Sequence, residues 1–278
     1  MDMNWFQSIL YGFLSGLTDI LPVSAQAHKA LMIKFFGIRG NTAVMDLMIH
    51  LGMLAALYFS CQSQIVRISR ARALARMPKR KRKRPLDTRS LMDFSLLKTM
   101  LVPVVIGLLL YPQTEKMRTN LMAVAIFLLV NGVILYIPQF LPTGNRDSRT
   151  MSRIEGLLMG LGGAVSILPG VSAIGVCTSV SSVCGVDRVY GWTMALMMNL
   201  MLTAGFLVHD IAGIAGNNIG VLSAALLFRS LVAAVCAFAG TMTGIKYMRH
   251  MAEEKGYASF GLYCLGVALF TFILNLMA

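Results

Sequence analysis

Within about ten residues of an otherwise apolar stretch the sequence places Asp19, Ser24, Gln26, His28 and Lys29. A carboxylate, a hydroxyl, an imidazole and an ammonium so close together can orient water, accept a proton and hold phosphate oxygens. Each also has a plainer use. Asp19 suits the N-cap of a helix that follows, His28 a packed core histidine, and Lys29 a side chain that snorkels to the membrane interface. An ionisable group inside a membrane costs roughly 2.5–3.5 kcal/mol, so three in one stretch call for a cavity, a partner or a ligand. A second stretch, Pro169-Gly170-Val171-Ser172, opens a helix. Its unpaired N–H groups and positive dipole end suit an anion; a break that serves packing alone is the alternative.

The elements that position these residues follow from composition. Of 278 residues 56% are hydrophobic and 13% charged, with mean hydropathy +0.69. A soluble domain carries about 25% charged residues, so an all-α polytopic membrane protein is expected. Apolar runs near the ~20 residues needed to cross a bilayer lie at 43–60, 94–111, 120–140, 188–208, 221–240 and 257–278. Regions 5–36 and 154–184 are also apolar but are broken at Pro22 and at Pro169. Each is too long for one span, and each half too short to cross alone. A re-entrant helical hairpin satisfies both facts, provided the bend lies against protein or a cavity.

The two broken regions resemble each other. Gly12–Leu17 parallels Gly156–Leu161, Ile20-Leu21-Pro22 parallels Ile167-Leu168-Pro169, and Met45–Leu51 parallels Met194–Leu200, at offsets of 144 to 149 residues. Three matches in one order make an internal repeat, with halves 1–140 and 141–278. Paired broken helices at corresponding positions point to the binding site in such proteins.

The net charge of +13 is concentrated rather than spread: eleven Lys/Arg lie between Arg67 and Arg89. That speaks against nucleic acid as partner and for a cytoplasmic loop at 61–90, with anionic membrane lipids as secondary contacts. Counting spans then puts turn 111–119 outside, 141–153 and 241–256 inside, and both termini outside. The two halves are thereby inverted, giving six transmembrane helices plus two re-entrant helical hairpins in an inverted repeat. The first residues, MDMNWFQSIL, carry no basic n-region, so the first segment is expected to stay in the mature protein. The five cysteines show no metal or disulfide spacing, and oligomeric state leaves no trace in the sequence.

The motifs Ser15-Gly16-Leu17-Thr18-Asp19-Ile20-Leu21-Pro22-Val23-Ser24-Ala25-Gln26-Ala27-His28 and Pro169-Gly170-Val171-Ser172-Ala173-Ile174 resemble those of the undecaprenyl-diphosphate phosphatase (bacitracin-resistance) family, along nearly the whole chain. Its first motif reads roughly E-G-L-T-E-F-L-P-[IV]-S-S-[TS]-G-H and its second P-G-x-S-R-S. The first family glutamate is Ser15 here, the second is Asp19, and the arginine that clamps the diphosphate is Ala173. The resemblance implies a multi-pass protein of the bacterial cytoplasmic membrane that releases phosphate from a polyprenyl diphosphate lipid, giving the lipid carrier monophosphate for cell-wall synthesis. It implies Asp19, His28 and Ser24 as catalytic residues and Ser172 and Gly170 as substrate-binding residues; Lys29 is the cation nearest in sequence to stand in for the missing arginine at the substrate, with Lys34 and Arg188 as more distant candidates. It further implies Mg2+ or Ca2+ as cofactor, with Asp19 its ligand here. The missing arginine keeps a second reading open: a homologue that binds or translocates a lipid phosphate without cleaving it.

Overall fold

The computed structural model describes residues 3–38, 42–82, 84–216, 223–254 and 256–277. Lys83, Lys255, Ala278 and the start of the span expected at 221 lie outside the described residues. The described chain forms ten α-helices: α1 (Trp5–Ile20), α2 (Ala25–Phe35), α3 (Ala43–Arg76), α4 (Thr88–Thr114), α5 (Leu121–Tyr136), α6 (Arg153–Val165), α7 (Ala173–Val183), α8 (Arg188–Gly216), α9 (Ala224–Glu254) and α10 (Ala258–Leu276).

Proline and serine set the two breaks. Pro22 follows the C-cap of α1, and the Ser24 hydroxyl caps α2 by accepting from the Ala27 N–H. Pro169 falls in the turn after α6, and the Ser172 hydroxyl caps α7 by accepting from the Gly175 N–H. A proline has no N–H to give the helix before it, while a serine oxygen satisfies the orphan N–H groups of the helix after it. The cap of α2 is thus Ser24; Asp19 lies inside the last turn of α1.

The order of helices occurs twice. A helix of 16 or 13 residues is followed by one of 11, then by two long ones and one of span length. The packing exchanges accordingly: α1 lies on α9 and α6 on α4, while α3 meets α8 and α5 meets α10. Small residues allow these approaches. A Cβ on Gly12 or Gly16 of α1 would land on the Ala233 or Ala237 carbonyl of α9, and one on Gly52 of α3 on the Ala234 carbonyl. With no hydrophobic drive between helices in lipid, such close backbone contact is the main source of attraction.

Among the described residues six helical stretches are long and apolar enough to cross a membrane: Ala43–Arg76, Thr88–Thr119, Leu121–Phe140, Arg188–Gly216, Ala224–Glu253 and Ala258–Leu276. Their outward faces carry Val102, Leu109, Ile126, Val235 and Leu269, all exposed, as a lipid-facing surface requires. Several helices outlast their apolar runs. The segment expected as loop from 61 is helical to Arg76, because Arg67 pairs with buried Asp93 of α4 at 2.9 Å and Arg72 stacks 3.9 Å over the Phe94 ring. Hydropathy marks the part of a helix that lipid covers, and polar partners carry the rest.

Candidate active site

The two breaks meet in the interior. The Gly170 N–H donates to the Ser24 hydroxyl oxygen at 3.1 Å. Asn131 of α5 bridges the same pair: its Nδ2 donates to the Pro22 carbonyl at 3.0 Å and its Oδ1 accepts from the Ser172 N–H at 2.9 Å. Both backbones are unusual here. Ser24 has φ +66° and Gly170 φ +134°, and a Cβ on Gly170 would sit 2.6 Å from the Phe127 Cβ and 2.7 Å from the Leu128 nitrogen. Conformations so sparsely populated persist only where the surroundings enforce them, and they cluster at functional sites.

A small cavity of about 30 Å³ opens at this junction, lined by Asp19, Ser24, Lys29, His50, Ser166 and Ser172 among others. Asp19 is held in place by α8, whose Asn199 Nδ2 donates to its Oδ2 at 2.7 Å. Lys29 and His50 also line a larger cavity of about 240 Å³, where Thr42, Asp46, Tyr111, Arg118 and Asp210 join them. There the Lys29 ammonium donates to Asp46 Oδ1 at 2.9 Å, with 2% of the residue exposed. It is therefore a buried ion pair and not a snorkelling side chain. Tyr11 and Thr42 donate to the same carboxylate at 3.0 and 2.8 Å. A more open cleft of about 540 Å³ adjoins through Thr42 and Arg118, with Ala30, Ile33, Ile38 and Leu121 on its walls.

Five of the six sequence-derived site residues therefore come together. Asp19, Ser24, Lys29 and Ser172 line the junction cavity, and Gly170 bonds to Ser24 at its edge. His28 lines neither cavity. Its Nδ1 is 2.8 Å from the Ser24 carbonyl oxygen, its Nε2 is 2.8 Å from the Tyr263 hydroxyl of α10, and the two rings stack at 5.8 Å. Among the described residues no cluster of three or more His, Cys, Asp or Glu is placed to hold a metal. The junction does offer hard oxygen donors, the Asp19 carboxylate and the hydroxyls of Ser24, Ser166 and Ser172.

Other residues at these cavities lay hidden in the sequence. Asn131 is the lone amide of α5, and its isolation in an apolar run was the available signal. His50 and Asp46 stand in the repeated stretch Met45–Leu51, and that repeat is the signal that marks them. Arg118 and Asp210 carry no local signal, since nothing in their own neighbourhoods announces a cavity shared with Lys29 or a partner 160 residues away.

The sequence matches along its length with known proteins. A family model described as bacitracin resistance protein BacA covers residues 8–270. A protein of Methanobrevibacter smithii named undecaprenyl-diphosphatase is 28% identical over 98% of both chains. Proteins of the same name from Carboxydothermus hydrogenoformans and Thermosipho melanesiensis are each 24% identical, over 96% of this chain and 97% or 98% of theirs. The helix order, the joined breaks and this full-length match agree: the chain belongs to the bacitracin resistance protein BacA family of multi-pass membrane proteins.

Proposed function

We propose that the protein hydrolyses the terminal phosphate from undecaprenyl diphosphate or a related polyprenyl diphosphate in the cytoplasmic membrane. The observation that carries this reading is the junction itself: a carboxylate, two cap hydroxyls and an ammonium converge where two helix breaks meet. The apolar cleft suits a prenyl chain, and the larger cavity suits its diphosphate.

In this reading Lys29 and Arg118 neutralise the diphosphate, so that Arg118 supplies the guanidinium that Ala173 lacks. Phosphoryl transfer depends mainly on positioning and on charge neutralisation of that kind. Asp19, fixed by Asn199, orients the attacking water, while the hydroxyls of Ser24 and Ser172 donate to phosphate oxygens. Gly170 holds Ser24 in place. His28, bonded to the Ser24 carbonyl oxygen, steadies the turn from behind. Mg2+ or Ca2+ would be held by Asp19 with the neighbouring hydroxyls, and would add positive charge on the diphosphate; both ions favour oxygen ligands and accept substrate phosphates among them.

The proposal extends to topology. Segments 5–36 and 154–184 enter the membrane as re-entrant hairpins from opposite sides, with the basic segment 61–90 cytoplasmic and both termini outside. Purified protein supplied with a C55 or shorter prenyl diphosphate is expected to release phosphate. Asp19→Asn should lower that rate by about 10²-fold, the loss expected when a reacting group is misplaced by about 1 Å. Intact binding of the lipid without any phosphate release by the wild type would overturn hydrolysis in favour of a lipid-phosphate carrier.

A further inference from the structure

Among the described residues His50 is the one imidazole that lines both the junction cavity and the larger one. It is 5% exposed, stacks on Phe206 at 5.7 Å, and its Nδ1 meets Asp210 Oδ2. This links α3 to α8 across 160 residues. A carboxylate on one ring nitrogen fixes the tautomer and leaves the other as the basic one. Here Asp210 engages Nδ1, so Nε2 is the nitrogen able to take a proton, on a side chain that shares a cavity with Asp19 and both cap serines.

We infer that His50 is the proton-handling catalytic residue of the hydrolysis proposed above, with Asp210 as its positioning residue. The inference rests on that hydrolase reading. In the step, the water oxygen forms a bond to the terminal phosphorus while the bond from phosphorus to the bridging oxygen breaks. The bridging oxygen keeps the electron pair and leaves on the lipid monophosphate. The water proton passes to His50 Nε2 and then to the released phosphate, so the imidazole returns neutral.

Other titratable groups around His50 come from each neighbouring element. Asp19 is on α1 and Lys29 on α2, while Asp46 lies one turn before it on α3. Tyr111, Glu115 and Arg118 come from the end of α4 and the following turn, and His209 from α8. The variants have to separate His50 from the other groups that share its cavities, Asp19 and His209 above all, and only replacement of His50 is expected to remove the acid limb.

The test is the pH profile of kcat for phosphate release from a prenyl diphosphate by the full-length protein in detergent micelles. Wild-type activity is expected to fall as pH drops through the histidine range, because only neutral His50 accepts the proton. His50→Gln should lose about 10²–10⁴-fold in kcat together with the acid limb, with KM changed less than kcat. Asp210→Asn should keep a limb but move it to lower pH, since the carboxylate no longer favours the imidazolium. His209→Gln should keep the limb where it is. Loss of the limb in His209→Gln, or a His50→Gln variant with wild-type kcat, would overturn the inference while leaving hydrolysis standing. Should His50→Gln not fold, an Asp210→Asn profile unmoved from wild type overturns it equally. Absence of phosphate release by the wild type overturns the hydrolase reading, and the inference with it.

Discussion

The Gly170 N–H and the Ser24 hydroxyl, 146 residues apart in sequence, share a 3.1 Å hydrogen bond that ties the first helix break to the second. Gly170 reaches it with a φ of +134°, against the backbone of Leu128. Gly170→Ala should therefore cost stability on two counts: strain of about 1–3 kcal/mol for the backbone conformation, and displacement of α5 by the added methyl. A lowered unfolding midpoint in detergent, with phosphate release abolished, is the expected outcome. An unchanged midpoint would mean that the turn relaxes freely.

Lys29 and Asp46 form a buried pair at 2.9 Å. Removing one partner of such a pair typically costs about 3–5 kcal/mol, because the other charge stays buried and uncompensated. Asp46→Leu should thus destabilise strongly, and adding Lys29→Met should recover part of the loss. A double-mutant cycle on denaturant midpoints reads the coupling directly. Additive effects would show that the pair is not coupled in solution.

Arg118 is the guanidinium nearest to hand for a diphosphate in the larger cavity. An arginine placed on transferring phosphate can be worth 10³–10⁵ in rate, and about the lower end of that range is expected on Arg118→Gln. In this background Ala173→Arg, which puts a guanidinium at the junction cavity, should raise phosphate release again. The comparison of initial rates for wild type, single and double variants decides it.

Outside the spans, the Arg146 guanidinium grips Glu155 through bonds of 2.6 and 3.1 Å, and also donates to the Cys184 carbonyl at 2.8 Å. Together these clip the start of α6 to the end of α7. Arg146 holds the Glu155 carboxyl below the ordinary glutamate range. A carboxyl lowered in the folded state stabilises it fully above its unfolded pKa, about 4.3, and loses that contribution as pH falls through the folded value. Unfolding midpoints should decline below about pH 4 more steeply for wild type than for Glu155→Gln. Parallel curves would remove the clip from the stability balance.

Much of the architecture could be read from spacing alone. Pro22 and Pro169 announce the breaks, Ser24 and Ser172 the caps beyond them, and the matching stretches around each the twofold order of helices. Helix ends were harder to read. Arg67 and Arg72 look like loop residues until Asp93 and Phe94 of α4 are seen beside them, since hydropathy says nothing of polar partners. Site residues divide in the same way. Asp19, Ser24, Gly170 and Ser172 belong to local motifs and meet as expected. His28, from the same motif, faces Tyr263, because a helix turns each successive residue by about 100°, and two positions past Gln26, which lines the junction cavity, point to nearly the opposite side. Asp210 and Arg118 enter through tertiary contact alone, and one chain offers no local pattern for that.

The glycine seam between α1, α3 and α9 has a mechanical consequence. With the backbones of Gly12, Gly16 and Gly52 seated on alanine carbonyls, those three helices have no intervening layer of side chains to compress or rotate. They behave as a welded plate. Any breathing that widens the cleft beside α2 is left to side-chain contacts instead, such as the His28 ring stacked on Tyr263 of α10 and the apolar cluster that Ala27 and Ala30 share with Ala268.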